Sequence, residues 1–173
     1  NVWDFGGQEI MHATHQFFLP RRSIYLLVID ARQGELESRI EYWLKFIQSY
    51  GGDSPVIVVS NKSDQHELDL DWTGLQRKYP AIRGFARNVS CQSGKGVSDF
   101  RRLIQREVGE LEHIHDELPA NWYSVKSELE NMEGNYLPYD RYEEMCLQQG
   151  IDREESRRTL LGFLHDLGVV LHF

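Results

Sequence analysis

The sequence predicts an α/β fold: a mostly parallel sheet with flanking helices, followed by a small helical segment in winged-helix-like order. Three observations carry this. Short apolar runs end in polar motifs that contain Asp or Asn. Stretches with helix-spaced apolar residues alternate with those runs. Near residue 116, pattern and charge change together: residues 1–115 hold 15 acids and 14 bases, and 116–173 hold 12 and 5, a net charge of −7. Continuous apolar runs fit strands buried on both faces, as in parallel sheets, and such sheets carry their ligand sites at the carboxyl ends of the strands.

The first run is Asn1-Val2-Trp3, which reads as a strand leading into Asp4 and then Phe5-Gly6-Gly7-Gln8-Glu9. It places a carboxylate at a sheet end, beside backbone that a ligand can approach closely. In a phosphoryl-transfer site such an Asp orients Mg²⁺, a glycine N–H meets the terminal phosphate and a Gln positions the attacking water. A β-turn with ordinary turn residues explains the same string. His12 and His15 have no third ligand nearby and are not read as a metal pair. The apolar run Ile24 to Ile29, ending in Asp30, is the next strand. Gly34-Glu35 then opens a helix with Leu36, Ile40, Trp43, Leu44 and Ile47 on one stripe, closed by Gly51-Gly52.

Val56 to Val59 is a further buried strand, and it ends in Ser60-Asn61-Lys62-Ser63-Asp64. Guanine offers N1–H and its 2-amino group side by side, and an Asp carboxylate accepts both. An Asn amide can contact the base while tying neighbouring loops together, and a Lys stem can lie flat over the ring. The competing explanation is a polar loop built from good turn formers. A weak helix follows over Asp69 to Lys78, stopped by Tyr79-Pro80. Phe85 to Val89 reads as a fourth strand. The loop after it, Ser90-Cys91-Gln92-Ser93-Gly94-Lys95-Gly96, lacks phosphate-loop spacing and reads instead as backbone N–H groups reaching the guanine oxygen. Val97, Phe100, Leu103, Ile104, Val108 and Leu111 mark the next helix.

Beyond the charged connection His113 to Pro119, three short helices are expected. The first holds Trp122, Val125, Leu129 and Met132. The second runs from Pro138 through Tyr139, Tyr142, Met145, Cys146 and Gln149 to Gly150. The third is capped by Asp152 and carries Leu160, Leu161, Phe163, Leu164 and Leu167. Val169 to Phe173 reads as a closing strand. Helix, turn, helix and strand is the order of a winged helix, but the acidic charge argues against nucleic-acid binding, since phosphate contacts need clustered Lys and Arg.

Composition agrees with a folded, acidic protein. The 173 residues are 40% hydrophobic, with a net charge of −8. That charge speaks against nucleic acid or an anionic membrane as the main partner. No apolar run approaches a membrane span, so no transmembrane segment is expected. Cys91 and Cys146 are far apart and read as free thiols in a reducing, cytoplasmic setting. The chain opens in mid-strand without Met, as expected of a piece of a larger protein.

Asp4-Phe5-Gly6-Gly7, Asn61-Lys62-Ser63-Asp64 and Ser90-Cys91-Gln92 resemble the third, fourth and fifth motifs of a Ras-like GTPase. Trp3-Asp4-Phe5-Gly6-Gly7-Gln8-Glu9 has the form usual in the Roc domains of Roco proteins. The stretch from Leu118-Pro119 and Trp122 to Leu164-His165-Asp166-Leu167-Gly168-Val169-Val170 resembles the start of the COR domain that follows Roc. The resemblance implies residues 1–115 as the carboxyl-terminal two-thirds of a Ras-like Roc domain and 116–173 as the first part of COR. It implies a GTP-binding and GTP-hydrolysing switch with GTP or GDP and Mg²⁺ as cofactors. The parent of such a chain often carries leucine-rich repeats upstream and forms a homodimer through COR. It also assigns roles. Asp4 orients Mg²⁺ through water, Gly7 contacts the γ-phosphate and Gln8 holds the catalytic water. Asn61, Lys62, Asp64, Ser90, Cys91 and Gln92 surround guanine.

Two departures stand out. Cys91-Gln92 replaces the usual Ala-Lys, which keeps the backbone contact and removes a stacking Lys. No Gly-x-x-x-x-Gly-Lys-Ser/Thr stretch occurs, so the phosphate cradle and the first two motifs are missing. The chain alone is therefore expected to be inactive. The alternatives are a nucleotide-independent scaffold acting through COR and, third, a winged-helix nucleic-acid binder.

Overall fold

The computed structural model describes residues 2, 4, 19, 23–32, 36–111 and 117–172, the side chains of 36–38 excepted. These fall into two compact units. One lies within Arg21–Ile114. The other holds the described part of His115–Phe173 together with Val2, Asp4 and Leu19.

Among the described residues, the first unit contains a three-stranded parallel sheet in the order β1 (Tyr25–Asp30), β2 (Val56–Asn61), β3 (Ile82–Ala86). Parallel neighbours need long crossovers, and α1 (Leu36–Gly51) and α2 (Trp72–Lys78) supply them; α3 (Val97–Gly109) follows β3. The central strand β2 is covered on both faces, with Val56 to Ser60 all buried. Val56 and Val58 meet Ile40, Leu44 and Ile47 of α1, with Ile29, Leu75 and Ile82. Ile57 and Val59 face the other way, against Ala86, Val89 and the α3 residues Val97, Phe100, Leu103 and Ile104.

β3 lies upstream of the expected Phe85 to Val89 run. Ile82 pairs with Val56 and Gly84 with Ile57, so one residue, Arg83, is extra. The irregularity turns Ile82 to one face and Gly84 and Ala86 to the other, which removes the period-2 signal. Leu103 packs where a side chain at Gly84 would stand: a Cβ there would lie 2.9 Å from Leu103 Cδ1. β1 also departs from expectation. Among the described residues it pairs with β2 alone, and its Leu26 and Val28 are exposed rather than buried. The expected strand before Asp4 falls largely outside the described residues; Val2 and Asp4 carry no strand assignment.

The second unit contains α4 (Ala120–Glu130), α5 (Tyr139–Gln148) and α6 (Glu154–Asp166). Val125, Tyr142, Cys146, Ile151, Leu160, Leu161 and Leu164 form its core, with Trp122 and Leu137 against it. The Tyr142 hydroxyl donates to the Arg157 carbonyl at 2.7 Å, and the Arg157 guanidinium donates to the Asp152 carbonyl at 2.7 Å and to Glu143 at 3.2 Å. Those bonds join α5, α6 and the turn between them. Asp152 is not the cap of α6; Arg153 holds that position and makes no side-chain cap bond. α4 stops before Met132. Residues 169–172 form no strand: the backbone turns at Gly168 (φ +67°), and the Val169 N–H returns to the Leu164 carbonyl at 2.9 Å. No helix among the described residues is long and apolar enough to cross a membrane.

Candidate functional site

The polar motifs after β2 and β3 come together at the carboxyl end of the sheet. The Ser63 N–H donates to the Val89 carbonyl at 3.0 Å, and the Val89 N–H donates to the Ser60 carbonyl at 3.1 Å. The two loops therefore continue the β2–β3 pairing past the last ladder residue. Asn61 completes the join. Its Oδ1 accepts from the Lys62 N–H at 2.8 Å and from the Cys91 N–H at 3.1 Å. One side chain thus closes its own loop and holds the loop 30 residues on. The Asn61 carbonyl accepts from the Ala31 N–H at 3.0 Å, which brings in the end of β1.

The second loop is a tight ring. The Ser90 N–H donates to the Lys95 carbonyl and the Gly94 N–H to the Ser90 carbonyl, both at 2.9 Å, while the Ser93 N–H donates to Ser90 Oγ at 3.2 Å. Gly96 closes the ring and starts α3 at φ +70°. A Cβ at Gly96 would lie 2.2 Å from the Asn88 carbonyl oxygen, so no other residue fits this turn as built.

Asp64 is exposed, and its carboxyl is held below its ordinary value, first by the Ser90 hydroxyl and then by smaller contributions that include the Lys95 charge. At neutral pH it is an ionised, acceptor-only group at the mouth of the joined loops. Lys62 stands beside it at φ +64°. Its ammonium donates to Asp30 Oδ2 at 2.6 Å. Asp30 also accepts from the Arg32 guanidinium, at 2.9 Å to Oδ1 and 2.6 Å to Oδ2. Those charge-assisted bonds, Arg32 first and Lys62 second, hold the Asp30 carboxyl well below the usual carboxylate range.

Asn61, Lys62, Asp64, Ser90 and Cys91 are thus brought together, and the exposed Gln92 follows on the same turn. Asp4 is exposed. Gly7 and Gln8 lie outside the described residues. Asp30 and Arg32 were missed by sequence reasoning; the one signal was an apolar run ending in Asp with an Arg two residues on. Among the described residues, no group of three or more His, Cys, Asp or Glu side chains is placed to hold a metal.

Comparison with known proteins points the same way. Residues 1–64 match the family model described as Ras of Complex, Roc, domain of DAPkinase. Residues 119–173 match that of the C-terminal of Roc, COR-A domain. The chain is 31% identical to a probable serine/threonine-protein kinase, pats1, from Dictyostelium discoideum, over all of the chain and 6% of that protein. It is 31% identical to a Roc-COR-CHAT protease from Runella zeae, over all of the chain and 20% of that protein. Among solved structures, it resembles Methanosarcina barkeri Roco2 RocCORdC bound to GDP with a TM-score of 0.91 and 48% identity. That match covers 99% of the chain and 52% of the other.

Proposed function

The chain belongs to the Roco family and spans Roc and COR-A sequence; on that premise we propose that its joined loops are the guanine-binding part of a GTP-binding and GTP-hydrolysing switch. The observation that carries this reading is the junction itself: Asn61 holds both loops while Asp64, ionised and exposed, faces outward beside Lys62. The Asp64 carboxylate accepts from guanine N1–H and the 2-amino group. The Lys62 stem stacks on the ring. Backbone N–H groups of the Ser90-Cys91-Gln92 turn meet the guanine oxygen. The GDP-bound state of the Methanosarcina relative supports a guanine nucleotide as ligand.

Hydrolysis belongs to the full-length protein in this reading. Asp4, a single exposed carboxylate, suits a water-mediated role toward Mg²⁺, an ion that keeps several waters and takes its other ligands from substrate phosphates. Gly7 and Gln8 are assigned the γ-phosphate contact and the positioning of the attacking water. The present sequence holds no phosphate-cradling Gly-Lys motif. We therefore expect the chain alone to bind GTP weakly and not to hydrolyse it. Submicromolar affinity in a titration with labelled GTP would overturn that.

The base reading is tested by Asp64→Asn in the full-length protein. Xanthine carries a carbonyl where guanine carries the 2-amino group, and Asn replaces one acceptor oxygen with a donor. The variant should lose GTP and gain XTP, by up to ~10⁴-fold where the pattern is fully read. An unchanged GTP/XTP preference would make Asp64 a structural residue.

A second role rests on the acidic helical unit, where Tyr123 and Tyr136 are 62% and 83% exposed. Protein interfaces are enriched in aromatic residues. The two tyrosines support COR as an interaction and homodimerisation module, which sedimentation of the full-length protein tests.

A further inference from the structure

Lys62 is the one non-glycine residue with positive φ among those described, at +64°. Side chains seldom adopt that conformation, and where it persists the surroundings over-determine it. Here they do so at both ends. At the backbone end, the Lys62 N–H is bound by Asn61 Oδ1 at 2.8 Å. At the far end, the ammonium meets Asp30 Oδ2 at 2.6 Å, across 32 residues of sequence. Asp30 is itself immobilised. Its carboxylate takes the Arg32 backbone N–H at 3.1 Å and both arms of the Arg32 guanidinium, and its side chain is 16% exposed. Arg32 Nη1 reaches on to Gln65 Oε1 at 3.4 Å, so the device spans both sides of the motif. The Lys62 side chain between these anchors remains 44% exposed.

We propose that Asp30, gripped by Arg32, is a positioning residue that holds the Lys62 stem outstretched as a ready-made apolar rail for the purine ring. The proposal rests on the reading of Asn61 to Asp64 as the base pocket and deepens it. A free lysine stem samples many rotamers, and ordering one at a binding interface weakens affinity. Tying the ammonium to Asp30 removes that cost. It also neutralises the charge, so that the stem meets the ring with its methylenes. Stacking of this kind is blind to the base edge. Asp30 therefore sets the affinity for purine nucleotides in general, while Asp64 sets the choice among them.

The test measures fluorescent GDP binding to the full-length protein, with GDP, IDP and XDP as competitors. Asp30→Asn should weaken all three by the same factor, about two- to tenfold, the loss that corresponds to one newly immobilised side chain. Lys62→Met keeps the stem and removes the ammonium, so adding Asp30→Asn to it should change nothing further. Arg32→Ala, at an exposed side chain, should give a smaller drop that also vanishes on the Lys62→Met background. Unchanged affinity in Asp30→Asn, or an equal loss with and without the Lys62 ammonium, overturns the positioning role. Asp64→Asn separates the layers. If it switches base preference while Asp30→Asn is silent, only the positioning role falls. If Asp64→Asn leaves the preference unchanged, the base pocket and the positioning role fall together.

Discussion

The two cysteines show how one residue type takes opposite properties from its surroundings. Cys91 is exposed on the turn after β3, with its backbone N–H on Asn61. Cys146 is fully buried in the α4–α6 core, where burial pushes its thiol above the ordinary range. Thiol reactivity follows the thiolate fraction and access, and burial lowers both at Cys146. A neutral maleimide at neutral pH should therefore modify one thiol in the native chain, mapped by mass spectrometry to Cys91, and both in guanidinium. Equal native rates would show that Cys146 is not enclosed. Lys62 and Gly96 belong to the same scale. Both have left-handed backbone in loops that join at the site, one held by side chains on either hand and the other by the lack of a Cβ.

Among the elements, α6 behaves as its helical period says it should. Leu160, Leu161 and Leu164 are buried, and Phe163, on the flank, reaches the Trp122 ring at 6.0 Å between centroids. Leu164 has no exposed surface, so Leu164→Ala should cost roughly 2–5 kcal/mol. Leu147→Ala, at a residue 49% exposed, should stay within about 0.5 kcal/mol. A denaturation midpoint unmoved by Leu164→Ala would mean the stripe faces elsewhere. The strands were harder to read. β1 has the apolar composition of a central strand, yet among the described residues it pairs with β2 alone and leaves Leu26 and Val28 exposed. β3 was displaced in the reading because the extra residue at Arg83 breaks alternation and Gly84 contributes no side chain.

For the molecule as a whole, each described unit has buried residues of its own. Ile40 sits among the apolar residues of α1, α2 and the sheet, whereas Leu164 sits with Val125, Tyr142 and Cys146, and no residue is common to the two. Losses at sites without shared partners add. Ile40→Ala and Leu164→Ala, each worth roughly 2–5 kcal/mol alone, should combine to within about 0.5 kcal/mol in chemical denaturation of the double variant. A coupling energy on the order of 1–3 kcal/mol would reveal a shared core. The charge is partitioned as well: most of the net −8 resides in residues 116–173, the part with the exposed tyrosines.

Much of this was legible in the residues taken in order. The helices α1, α3, α5 and α6, the buried strand β2 and the motifs Asn61 to Asp64 and Ser90 to Gln92 all follow from local period and local chemistry. The family followed from the motifs, since few strings offer Asp-x-Gly-Gly-Gln and Asn-Lys-x-Asp at this spacing. The tertiary structure alone decided what depends on pairing at a distance. Asn61 reaches the Cys91 N–H and Lys62 reaches Asp30 because the sheet order sets the ends of β1, β2 and β3 side by side. No local period encodes a contact across 30 residues. The left-handed backbone of Lys62 is partly of the same kind: nothing in a lysine asks for it, and it is held by the preceding Asn61 at its N–H and by the distant Asp30 at its ammonium.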